Sequence, residues 1–131
     1  MIQVRKRDGK VVPFDLEKIK TAILKDLKAI GHEGDIEATA CKYADEVFAL
    51  CEQKYLPKTS IFDIENIQDT VVQVLSREGE LRAVIAYCEY RYQHKLEREQ
   101  RVKKAYEDKL MAKNVVNQNA NIDEYSGGGR S

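Results

Sequence analysis

Val4-Arg5-Lys6-Arg7-Asp8-Gly9-Lys10-Val11-Val12-Pro13-Phe14-Asp15-Leu16-Glu17-Lys18-Ile19 carries two strands, the turn between them and the start of a helix. From Ile2 to Lys6, apolar and polar residues alternate, the pattern of a half-buried strand. Asp8-Gly9 is a two-residue turn signal of the type I′ kind, in which both central residues take positive φ. Val11 to Phe14 reads as the return strand, and Pro13, which lacks an N–H, places it at an edge or ends it. Asp15 is a good helix N-cap, and the stripe Leu16, Ile19, Ile23, Leu27 and Ile30 recurs at helical spacing until Gly31.

The rest of the chain supplies what this hairpin rests on. Ile36, Ala40, Tyr43, Ala44, Val47, Phe48 and Cys51 predict a second helix that ends before Pro57. Ser60 or Asp63 caps a third, with Ile64, Ile67, Val71, Val74 and Leu75 inward and Gly79 as its stop. Leu81, Val84, Ile85, Cys88 and Tyr92 define the inward face of a fourth, whose charged continuation runs to about Lys109. Four amphipathic helices need one shared core, and a hairpin of this size is not stable alone. The expected fold is therefore α+β, mainly α: an N-terminal β-hairpin capping a four-helix bundle, with a flexible C-terminal tail. Expected boundaries are 1–95 for the folded domain, 96–113 for a charged helical linker and 114–131 for an Asn- and Gly-rich segment that cannot fill a core.

Composition excludes several classes. In 131 residues there are 22 Lys plus Arg against 22 Asp plus Glu, so the basic excess usual in proteins that live on long nucleic acid is missing. Positive charge is concentrated locally, in Arg5, Lys6, Arg7 and Lys10 against Asp8, which suits a compact anion better than a polymer. Cys41, Cys51 and Cys88 form no C-x-x-C pair, so a zinc ribbon is not expected; they read as reduced, buried thiols of a cytosolic protein. His32 and His94 have no metal-ligand spacing. Neither a signal peptide nor a long apolar span is evident.

The binding expectation follows from geometry. If the hairpin folds back over the first helix, Lys6 and Arg7 of the turn converge with Lys18, one helical turn past Asp15. Three cations around one pocket call for an anion, and a triphosphate supplies it: Arg holds its oxygens in pairs, and the helix N-terminus adds a favourable field. Asp15 is free to accept from a sugar hydroxyl or a base amino group, and Val4, Val12 and Ile19 offer apolar walls for a base. The competing explanation is that these charges solvate the hairpin and block edge-to-edge pairing. No Walker loop or G-x-G-x-x-G is present. Tyr87, Tyr90 and Tyr92 point in different directions on a helix, so packing explains them better than base stacking.

The residues V-x-K-R-D-G, then F-D-x-x-K-I, here Val4, Lys6, Arg7, Asp8, Gly9, Phe14, Asp15, Lys18 and Ile19, resemble the opening of the ATP-cone family. Ile64 to Leu75 and Ala86 to Arg91 resemble its third and fourth helices, so the likeness covers about residues 1–95. Asn119 to Glu124 and Gly127 to Arg130 resemble the segment that leads into the catalytic domain of anaerobic, glycyl-radical ribonucleoside-triphosphate reductases. The resemblance implies an allosteric domain that binds ATP as activator or dATP as inhibitor, with Mg2+, and does no chemistry itself. Its partners would be the catalytic domain of the same reductase and other copies in an effector-dependent oligomer, with neither membrane nor nucleic acid involved. It places Val4, Lys6, Arg7, Asp15, Lys18 and Ile19 around the effector, with Ile64, Gln68, Arg91 and Lys95 as further contacts. Val12 stands where some relatives carry a Glu, so contacts to adenine or ribose there differ. None of the three cysteines is expected to be catalytic, and the chain reads as a fragment whose catalytic part lies elsewhere. The rival expectations are a nucleic-acid-binding regulator, which would ignore free ATP, and a helical adaptor that binds neither.

Overall fold

A computed structural model describes residues 1–117; the Gly-rich end and the Asn119–Glu124 stretch lie outside the described residues. The elements are β1 (Gln3–Arg5), β2 (Val11–Pro13), α1 (Leu16–Ala29), α2 (Ile36–Tyr55), β3 (Ile61–Asp63), α3 (Ile64–Arg77) and α4 (Leu81–Asn117). The chain divides into two compact units, Met1–Tyr90 and Arg91–Ser131. The first contains the sheet, α1 to α3 and the start of α4; the described part of the second is the remainder of α4.

The expected hairpin forms, with β1 antiparallel to β2 and Val4 opposite Val12. Its connection differs from the two-residue turn expected at Asp8-Gly9. The Gly9 N–H donates to Lys6 O at 2.9 Å, and the Lys6 N–H donates to Lys10 O at 2.8 Å. Arg7, Asp8 and Gly9 thus make a three-residue loop, with Gly9 in the left-handed backbone, φ 88°, that glycine adopts without penalty. The Asp8 carboxylate accepts from the Lys10 N–H at 2.9 Å and fixes the loop from inside.

The hairpin is also not alone. β3 pairs parallel to β1, with Val4 opposite Phe62, giving the strand order β2-β1-β3. Three residues are too few for an alternation pattern to reveal β3 in the sequence. Its inward residue, Phe62, is fully buried, and Val4 beside it is buried too. Phe14 stacks tilted on Phe48 of α2 at 5.2 Å between centroids and meets Phe62 edge-on at 6.2 Å. Tyr55, at the end of α2, lies 5.9 Å from Phe62. These rings fasten the sheet to the helices.

Capping sets the helix ends. Asp15 caps α1 as expected, accepting from the Glu17 N–H at 3.0 Å. Asp35 caps α2 through the Ala38 N–H at 3.1 Å. Asp63 occupies the N-cap position of α3 but makes no capping bond; its carboxylate pairs with Arg5 of β1 at 2.8 Å. The glycine stops are as expected. At the end of α1, Gly31 donates to Lys28 O and His32 to Leu27 O; at the end of α3, Gly79 donates to Ser76 O and Glu80 to Leu75 O. Both are Schellman ends with a left-handed glycine. The residues just past them meet: Glu80 accepts from Tyr43 of α2 at 2.5 Å and lies 2.9 Å from His32 Nε2. The Tyr43 and His32 bonds outweigh burial and hold the Glu80 carboxyl below its usual range, while the Glu80 bond raises the His32 imidazole.

The inward face of α4 differs from the expected one. Ala83 and Tyr87 are buried, and Val84 packs against the core, but Leu81, Ile85, Cys88 and Tyr92 are exposed. The apolar residues of this segment occupy nearly every direction around the helix, so periodicity alone cannot choose the face; small Ala83 is what lets α4 approach. Cys41 is exposed as well, so of the three thiols only Cys51 is buried, and burial pushes it up. The helix continues to Asn117 rather than stopping near Lys109.

Because Phe62 joins the sheet, α2 and the entry to α3, Phe62→Ala is expected to destabilise the protein by about 3–5 kcal/mol, measured by urea unfolding. A loss below about 1 kcal/mol would show that the sheet is not anchored there.

Candidate functional site

Two places in the first unit gather the residues expected to bind an effector. The first joins the hairpin loop to α3. Arg7 extends its guanidinium across, with Nη2 2.7 Å from Gln68 Oε1 and Nε 3.5 Å from Glu65. Arg7 and Gln68 were both expected at the site, and the fold brings them into contact. Lys6, in the same loop, is exposed. Beneath them Val4 is buried, and Val12, Ile19 and Ile64 are partly buried against the core. Their apolar surfaces contribute to packing first. Asp15 is exposed, with its carboxylate engaged as the α1 cap.

The second place is a groove of about 480 Å³ between α1 and the start of α4, within the size range of small-molecule sites. Lys18, one of the expected cations, lines it together with Glu17, Thr21 and Lys25. Ala22 and Ala29 of α1 and Ala86 of α4 leave the space open because their side chains are short, and Tyr87 and Tyr90 form the facing wall. Tyr87 is buried and Tyr90 about half exposed, 48%. Arg91 and Lys95, the last two expected contacts, belong to the second unit; Arg91 is partly buried and Lys95 exposed.

Sequence reasoning missed Asp26. This residue also lines the groove, yet its side chain is only 7% exposed. Its Oδ2 has no hydrogen-bond partner. Burial holds the carboxyl well above its ordinary range, at about 6. The signal was present: Asp26 falls three residues after Ile23 and four before Ile30, on the inward stripe of α1, where an acid is unexpected. No group of three His, Cys, Asp or Glu side chains suited to a metal ion occurs among the described residues. Nor is any described helix long and apolar enough to cross a membrane.

A short basic β-ribbon folded onto a helical bundle, with a cationic helix start beside a groove, is the arrangement of a nucleotide-binding regulatory domain. The family model for the ATP cone domain matches residues 2–96, and the chain belongs to that family. It is similar to the anaerobic ribonucleoside-triphosphate reductase of Escherichia coli (strain K12), at 33% identity over 124 residues, which is 92% of this chain and 16% of that protein. It is similar to the enzyme of that name from Salmonella typhimurium (strain LT2) at 34% over 124 residues, with the same coverage. The chain thus spans about 16% of the length of the curated relatives it matches.

The Asp26 shift has a consequence for stability. The folded state holds this carboxyl above its unfolded value of 3.8, so the folded protein favours the protonated form. Its contribution to stability is therefore greatest below about pH 4, falls as pH rises towards about 6, and then levels off. The cost at neutral pH is on the order of 2–3 kcal/mol. Asp26→Asn, which cannot ionise, is expected to be more stable than the wild type at pH 7.5 and to lose this share of the pH dependence. Urea unfolding at pH 4.5, 6 and 7.5 checks it; equal slopes in both proteins would refute the assignment.

Proposed function

We propose that this chain is the effector-binding part of an anaerobic ribonucleoside-triphosphate reductase, taking ATP as activator and dATP as inhibitor of deoxyribonucleotide synthesis, and that it performs no chemistry itself. The observation that carries the reading is Lys18 at the groove between α1 and α4. A compact anion with an apolar body suits this groove, because ammonium groups stand at its rim and alanines and tyrosine rings form its walls. Lys6 and Arg7 of the hairpin add positive charge to the same unit. Mg2+ accompanies the triphosphate, held mainly by phosphate oxygens and water.

ATP and dATP differ at one hydroxyl, so either can bias a switch only through differential affinity for the two states. In this proposal the output passes to a catalytic domain of the same reductase and to contacts between copies, which change with the effector. Ordering of the Asn-rich segment is a further route; most of that segment lies outside the described residues. The enzymatic step, including any formate-dependent chemistry, belongs to that catalytic domain.

Calorimetry with ATP, dATP and GTP tests the proposal, with duplex DNA as a control. Binding selective for adenine is expected. Lys6→Ala and Lys18→Ala are each expected to weaken ATP binding by about tenfold, the loss of one charge-assisted contact, without lowering thermal stability. Unchanged affinity in both variants, or binding to DNA alone with steep salt dependence, would sink it.

A further inference from the structure

Two helix ends and a side chain of a third helix meet at His32 and Glu80. His32 lies just past the end of α1, and Glu80 stands between α3 and α4. The Glu80 carbonyl accepts from the Val84 N–H at 2.9 Å, so this residue opens the first turn of α4. Arg82, in that turn, donates to Ile30 O at the end of α1 at 2.7 Å.

Both ring nitrogens of His32 face oxygen. Nδ1 is 2.7 Å from Glu33 O, and Nε2 is 2.9 Å from Glu80 Oε2. A backbone carbonyl can only accept. The same Glu80 oxygen also accepts the Tyr43 hydroxyl at 2.5 Å, which suits a carboxylate. A neutral imidazole has one N–H, so it would set one nitrogen lone pair against an oxygen lone pair. The doubly protonated ring satisfies both contacts. We propose that His32 is a proton-operated clasp: as imidazolium it bridges Glu33 O and the Glu80 carboxylate and ties the first turn of α4 to the end of α1, and as neutral imidazole it loosens that turn. This goes beyond the nucleotide-binding reading and does not depend on it. Because α1 and the start of α4 are the walls of the groove, the clasp sets how firmly those walls are joined.

The charges around the ring decide where it titrates. Glu33 beside it and Glu80 from the turn between α3 and α4 favour the cation, and Arg82 of α4 opposes it. From α2, Tyr43 presents its hydroxyl to Glu80, and Glu46 and Glu78 bear on Tyr43. Those two carboxylates are met by cations: Arg77 is 3.2 Å from Glu46, and Lys42 is 3.8 Å from Glu78. The Glu80 bond is the largest influence on His32 and raises it above the ordinary imidazole value of 6.5. A raised value fixes the sign. The clasp's contribution to stability is complete below the ordinary value and is lost as pH rises through the folded one.

The experiment is nitrogen-15 NMR of the His32 ring in the full chain from pH 5.5 to 9. Amide hydrogen exchange at Val84 is read over the same range, as protection relative to an unstructured peptide. Below its midpoint His32 should show both ring nitrogens protonated, and that midpoint should lie higher in wild type than in Glu80→Gln. Protection at Val84 should drop by about tenfold through the wild-type midpoint, the worth of one charge-assisted hydrogen bond. In His32→Gln it should be low at every pH; in His32→Arg, a permanent cation, it should stay high. The ring titration of wild type needs no variant to fold. A neutral His32 in the folded protein at pH 5.5, an equal midpoint in Glu80→Gln, or one protection curve shared by wild type and His32→Gln would each overturn the clasp. None of these results bears on nucleotide binding, which calorimetry reads separately.

Discussion

The packing of Val4 and Phe62 against the helices is the contact on which the rest of the first unit depends. Each strand of the sheet is three residues long, and so small a sheet has too little apolar surface to stand by itself. Side by side on adjacent strands, Val4 and Phe62 supply a buried patch that the rings of Phe14, Phe48 and Tyr55 extend into the bundle. Once this patch is seated, the loop of Lys6 to Lys10 has one place to be. Arg7 then reaches α3, where it meets Gln68 and Glu65. The position of the positive charge is a consequence of hydrophobic burial some residues away.

The far end of the same unit is held by polar contacts. The Schellman ends of α1 and α3 leave His32 and Glu80 projecting just past their glycines, and Tyr43 completes the cluster from α2. Backbone capping satisfies the last carbonyls of each helix, and the side chains tie the two ends together. One end of the bundle is thus closed by rings and the other by a shared carboxylate, which keeps α1 in place along the length that forms one wall of the groove.

That wall contains the local cost in the design. A carboxyl on the inward stripe of α1 opposes folding at neutral pH, because burial favours its protonated form. Apolar residues at neighbouring positions of the stripe, Ile23 and Leu27, are fully buried and absorb the penalty through the area they remove from water. Small residues deepen the contrast: Ala22, Ala29 and Ala86 leave volume unfilled beside the buried carboxyl. A fold selected for stability alone would fill this space and remove the charge.

Local chemistry in the sequence was enough for the four helices, the Asp15 cap, the glycine stops and the basic hairpin, because each is a pattern between near neighbours. The family likeness was legible in the same way, from Val4 to Ile19. Three features needed the tertiary structure. β3 is too short to show a period, and it exists as a strand because β1 lies beside it. The buried face of α4 was misjudged, since apolar residues surround that helix and only the approach of α1 to α3 selects Ala83 and Tyr87. Asp26 stood in plain view on the inward stripe of α1, but whether an acid there is paired, exposed or orphaned depends on what packs against it, and that is a property of helices distant in sequence.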